Sequence, residues 1–102
     1  MIQTISSNNA YVSNPGTAPS EPLIRVNCTG DITLMIRGQI IALLAVNSYI
    51  TLDTALKEAY RSTALQNNKM VGEFPLLLPG NNSISWEGSV TNLQITPRWR
   101  NL

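Results

Sequence analysis

Apolar and polar residues alternate along most of this chain with a period of two, the spacing of half-buried strands. Ala10-Tyr11-Val12 reads as a strand that runs into Ser13-Asn14-Pro15-Gly16, where Pro presets φ and Gly tolerates a positive one, so a turn is predicted. Thr17 to Pro22 holds small residues and two prolines, and reads as an extended, exposed loop. Beyond it Ile24, Val26 and Cys28 alternate with Arg25 and Asn27. Thr29-Gly30-Asp31 punctuates, and Ile32, Leu34 and Ile36 then alternate with Thr33, Met35 and Arg37 before Gly38-Gln39 turns the chain. The pattern predicts two strands joined as a hairpin by the short connection between them. Ile40 to Val46 is continuously apolar, as expected of a strand buried on both faces. Asn47-Ser48 breaks it, and Tyr49-Ile50-Thr51-Leu52 resumes with β-branched and aromatic residues.

The stretch from Asp53 to Arg61 is ambiguous. Ala55, Leu56, Ala59 and Tyr60 fit one stripe of a short helix with Asp53 as its N-cap. A tight turn at Thr54-Ala55 followed by a strand from Lys57 to Arg61 fits as well, and periodicity does not choose between them. Ser62 to Lys69 is polar and loop-like. Phe74-Pro75-Leu76-Leu77-Leu78 is apolar, but its proline argues against an interior strand. Leu78-Pro79-Gly80-Asn81 has the Pro-Gly centre of a type II turn. Ile84 and Trp86 share a face within Ser83 to Glu87, Gly88-Ser89 reads as a turn, and Leu93, Ile95, Pro97 and Trp99 share a face in the last segment. Pro97 cannot donate to a ladder, so that strand is expected at an edge or leaving the sheet there. Short strands with turn chemistry between them predict a mostly-β domain, an antiparallel sandwich or barrel with at most one short helix.

With 102 residues the chain is a single domain, 1–102, whose residues 1–9 form a polar lead expected to be flexible. Charged residues make up 13% of it, about half the usual share, and the net charge is +1. No basic field exists for phosphate-backbone binding, so nucleic acid is not an expected partner. The longest apolar run is too short to span a bilayer, and Met1 to Ser7 lacks the features of a secretion signal, so a soluble protein without a membrane partner is expected.

The chain holds no histidine and one cysteine, Cys28. The commonest general base and metal ligand are therefore missing, and neither a disulfide nor a thiolate metal cluster can form within it. Cys28 sits in an alternating apolar stretch and reads as a packing thiol. Glu21, Asp31, Asp53, Glu58, Glu73 and Glu87 are dispersed without an acid/base or metal spacing, and read as solvated charges, with Asp31 and Asp53 placed to cap turns. No enzyme, cofactor or metal site is expected. Asn27-Cys28-Thr29 and Asn81-Asn82-Ser83 match the glycosylation pattern and are read as chance matches. Trp86, in step with Ile84, is assigned to the core. Trp99, close to the terminus, has equal claims to core and surface, and with Arg98 and Arg100 forms the candidate interaction surface.

The C-terminal third carries a family pattern. Gly72-Glu73-Phe74-Pro75, then Leu78-Pro79-Gly80-Asn81-Asn82-Ser83-Ile84-Ser85-Trp86, then Val90-Thr91 and Ile95-Thr96-Pro97-Arg98-Trp99-Arg100-Asn101-Leu102 resembles the C-terminal domain of the siphophage distal tail protein family. Asn14-Pro15-Gly16-Thr17, Glu21-Pro22 and Tyr49-Ile50-Thr51-Leu52-Asp53 fit the same domain in the same order, so the resemblance runs from about Tyr11 to Leu102. It implies a galectin-like β-sandwich, with a turn and strand rather than a helix over Asp53 to Arg61.

The resemblance also implies a structural part of a phage or prophage tail tip or baseplate. Such a part links the tail tube to the host-adsorption apparatus through contacts with other tail-tip proteins, is assembled in the bacterial cytoplasm and is located in the virion. In that family an N-terminal domain forms a homo-hexameric ring. The present chain corresponds to the other domain, and it is expected to be a monomer or at most a weak dimer on its own. The alternative reading is a carbohydrate-binding module for host-wall adhesion. Galectin-type sites use a histidine-containing polar cluster, which this chain lacks, and fold analogy alone does not give sugar binding.

Overall fold

A computed structural model describes residues 3–61 and 64–98. Among these residues nine strands run β1 Gln3–Ile5, β2 Ala10–Asn14, β3 Leu23–Ile36, β4 Gln39–Val46, β5 Tyr49–Asp53, β6 Glu58–Arg61, β7 Ala64–Leu65, β8 Met70–Val71 and β9 Gly80–Thr96, with one 3-10 turn at Asn67–Lys69. Every pairing is antiparallel. The domain is mostly β, as the alternation predicts.

Two long strands organise the architecture. β3 and β9 pair along nearly their whole length, but the register slips where Thr29 to Thr33 of β3 faces Ser89 and Glu87 of β9. Both strands bend there, dividing the sheet into two layers. The front layer runs β1, β9 (89–96), β3 (23–29), β5, β6, β7. The back layer runs β2, β9 (80–87), β3 (33–36), β4, β8. Inward residues of the two layers form one core: Ile24, Val26, Cys28, Ile50, Leu52, Leu93 and Ile95 in front, and Val12, Ile32, Leu34, Ile36, Ile41, Leu43, Ile84 and Trp86 behind. The result is an antiparallel β-sandwich whose layers are continuous through two bent strands.

The bend corrects two expectations. Thr29-Gly30-Asp31 does not separate a hairpin, and Gly88-Ser89 does not turn the chain; each is a corner inside one strand. Gly88 lies at φ +112, and a Cβ there would stand 2.6 Å from Ile32 Cδ1 and 2.8 Å from the Asp31 carbonyl oxygen. The glycine thus marks a bulge and a close backbone approach instead of a strand end. The true hairpin is β3–β4, where Arg37 and Gly38 both take positive φ (54 and 76), the two-residue form whose twist matches antiparallel strands.

β4 is buried on one face only. Ile41, Leu43 and Val46 point into the core, while Ile40 and Leu44 are exposed. The Asp53 to Arg61 ambiguity resolves as a turn over 54–57 followed by β6, with Thr51, Leu52 and Asp53 paired to Tyr60, Ala59 and Glu58. The helical stripe is a coincidence of composition, because Ala59 is wholly buried while Leu56 is 63% exposed.

The loop from Thr17 to Pro22 is not exposed throughout: Ala18, Ser20 and Pro22 are buried. Ser20 exchanges two backbone hydrogen bonds with Leu77, so the two proline-flanked segments close one end of the sandwich together. The polar lead contributes β1, with Gln3, Thr4 and Ile5 opposite Ile95, Gln94 and Leu93, and the Asn8 side chain donates to the Trp86 carbonyl and accepts from its N–H. β9 leaves the sheet at Pro97, as its missing donor requires.

Candidate functional site

Of the three residues expected to form an interaction surface, Trp99 and Arg100 lie outside the described residues, and Arg98 is engaged within the chain. After the buried Pro97, Arg98 takes φ 54 and its guanidinium turns back onto the end of β5. Nη1 lies 2.8 Å from Asp53 Oδ1 and Nη2 lies 3.2 Å from Oδ2, a two-pronged ion pair. Nη1 also reaches the Glu21 carbonyl at 3.4 Å. The Asp53 side chain is 7% exposed and that of Arg98 35%.

Asp53 is therefore not the solvated charge expected from its isolation in sequence. Its Oδ1 also accepts the Leu56 N–H, capping the turn before β6. The Arg98 hydrogen bonds hold the Asp53 carboxyl below its ordinary range and outweigh the opposing effect of burial. Asp31 does not cap a turn: it lies inside β3 at the register shift and accepts the Ala45 N–H of β4 at 2.8 Å.

Two buried asparagines tie the end of the sandwich. Asn14 donates to the carbonyls of Ala18 and Leu77 and accepts the Gly16 N–H. Asn82 donates to the carbonyls of Val12, Leu78 and Gly80 and accepts the Leu78 N–H. Gly80 adopts the positive φ expected of the Pro79-Gly80 turn. Trp86 is 7% exposed and belongs to the core. Cys28 is buried as expected, and burial pushes its thiol up to about 11, so it stays protonated at neutral pH. Among the described residues no group of three or more Cys, Asp or Glu is placed to hold a metal ion.

Two outward faces remain. On the front layer the Arg25 guanidinium lies 4.0 Å from the centre of the Tyr49 ring and that of Arg61 lies 4.9 Å from it. Asn27 bonds Asn92 beside them at 2.7 Å. Next to this cluster Leu23, Arg25, Thr51, Tyr60, Gln94 and Thr96 line an open depression of about 250 Å³. On the back layer the outward face is apolar. Ile40 is 62% exposed, Leu44 41% and Val71 58%, around Met35 and Ala42.

Sequence reasoning missed both faces. Arg25, Tyr49 and Arg61 come together only through the pairing of β3, β5 and β6. The back-layer face has a signal in the unbroken apolar run of β4, which equally fits burial on both faces. Comparison of the chain with family models, with curated proteins and with solved structures found no match.

Proposed function

We propose that this chain is a structural module of a phage or prophage tail tip, acting through protein–protein contacts between the tail tube and the adsorption apparatus. One observation carries the reading: several residues of the family pattern help to lock the sandwich. Asp53 ends one segment of the pattern and Arg98 lies in another, and the two meet in the ion pair. Asn14, Asn82 and Trp86, from three further points of the pattern, tie the loops and fill the core. A pattern whose members perform architecture is what a structural module requires.

In this reading the longer family form closes a six-fold ring through another domain, and the present domain sits at the periphery. The test is composition: particles released from the bacterium that carries the gene, purified on a density gradient, are expected to contain this polypeptide. Its presence in the cell and consistent absence from the particles would overturn the proposal.

The front-layer depression supports a second reading, a glycan-binding module. An open trough with a largely apolar floor, lined by Leu23, Arg25, Thr51, Tyr60, Gln94 and Thr96, offers a few hydrogen-bonding groups and an aromatic ring, the chemistry that sugars use. On the structural reading, calorimetric titration with host-wall polysaccharide gives no saturable heat. Saturation at micromolar concentration, lost in Tyr60→Ala, would place the glycan reading first.

A further inference from the structure

The back layer carries an apolar face that has no partner among the described residues. Outward positions of β3, β4 and β8 fall into register: Met35 opposite Ile40, Thr33 opposite Ala42, and Ala42 opposite Val71, with Leu44 one step further along β4. Together they form a continuous strip of a few hundred Å², the size of the largest patch on an ordinary monomer and commonly an interaction site. The neighbouring edge is closed to strand addition. β8 is two residues long, the Ala45 N–H is taken by Asp31 and the Ala45 carbonyl by the Lys69 ammonium at 2.9 Å. Association on this side of the layer, away from the β2 edge, must therefore use the face.

The charges beside the strip choose the occupant. Glu87 is exposed on β9 and pairs in register with Thr33, on one side of the strip. Lys69 precedes Met70, which pairs with Leu43, so it stands beside Leu44 on the other side. A two-fold axis lying in the face between them exchanges the two sides. Glu87 of each copy then meets Lys69 of the other, while Ile40, Leu44 and Val71 cover one another. The face is thus complementary to itself, as a closed symmetric dimer requires. The ammonium keeps two donors beyond its bond to Ala45.

We propose that two copies of this chain pair face to face through the β3–β4–β8 surface of the back layer. The strip is well below the about 800 Å² per partner of a standard stable interface, so the dimer is weak and forms at high local concentration. The proposal is independent of the tail-tip reading.

Sedimentation equilibrium of the full chain, up to about 1 mM, tests it. A reversible monomer–dimer equilibrium is expected. Ile40→Lys should weaken it at least roughly tenfold, by burying a charge in the contact. Lys69→Glu and Glu87→Lys should each weaken it several-fold, and the double exchange should restore it to within about twofold of the original. These positions face outward, and circular dichroism should show each variant folded. A chain monomeric throughout the range, a dimer indifferent to Ile40→Lys, or a double exchange no better than the single changes would each overturn the proposal.

Discussion

At the scale of single residues, the Asp53–Arg98 pair makes stability depend on acid in a defined direction. The folded-state pKa of Asp53 lies below its ordinary value of 3.8, so the pair's contribution is fully present above that value and is lost as pH falls through the folded one. Urea unfolding from pH 6 down to pH 2 should therefore show a loss that Asp53→Asn lacks. Arg98→Met should destabilise by about 2 kcal/mol, a moderate figure because the outer side of the guanidinium is hydrated, and it leaves the better-buried carboxylate with only the backbone N–H groups of Leu56 and Ala55. Two core positions make opposite predictions. Trp86→Ala removes the largest inward side chain of β9 and should cost about 3–5 kcal/mol, enough to leave a small domain unfolded or nearly so. A thermal midpoint within a few degrees of the original would contradict its place in the core. Ser20 Oγ is buried without a hydrogen-bond partner, so Ser20→Ala should be neutral or stabilising by up to about 1 kcal/mol. A clear loss of stability would show that the hydroxyl has a partner.

At the scale of elements, the corner of β3 and β9 decides whether two layers form. Gly88→Ala combines an unfavourable φ with contact against Ile32 and the Asp31 carbonyl, and should cost about 2–4 kcal/mol in chemical unfolding. An unchanged unfolding midpoint would mean that the close approach is absent. Much of this scale was legible in the sequence. The alternation of Ile24, Val26 and Cys28 and of Ile32, Leu34 and Ile36 marks the inward face of β3, and Ile84 with Trp86 marks that of β9. What the alternation cannot say is whether two such runs are two strands or one bent strand, since Gly30 and Gly88 carry the same local signal in either case. The continuous run of β4 fits burial on one face or two, because an apolar outward side chain differs from an inward one only by its surroundings. Residues 53–61 show the converse. Helical spacing was present by composition, and the cross-strand pairing of Tyr60 with Thr51 prevailed.

At the scale of the molecule, the candidate surfaces were the least legible part. Sequence assigns Arg98 to an interaction surface because Asp53, its partner, is far away along the chain, and the ion pair exists only once β9 has returned beside β5 through β3. What the assembled domain presents is an open trough in front and an apolar strip behind, with Asn14, Asn82 and the Asp53–Arg98 pair tying the loops at its ends. Far-ultraviolet circular dichroism should show a β spectrum, and strong helical minima would refute the fold. The functional account is tested most directly by position. Gold-labelled antibody against this domain, applied to intact particles and viewed by electron microscopy, should mark the end of the tail distal to the head. Label on the head or along the tail shaft, with none at the distal end, would contradict it.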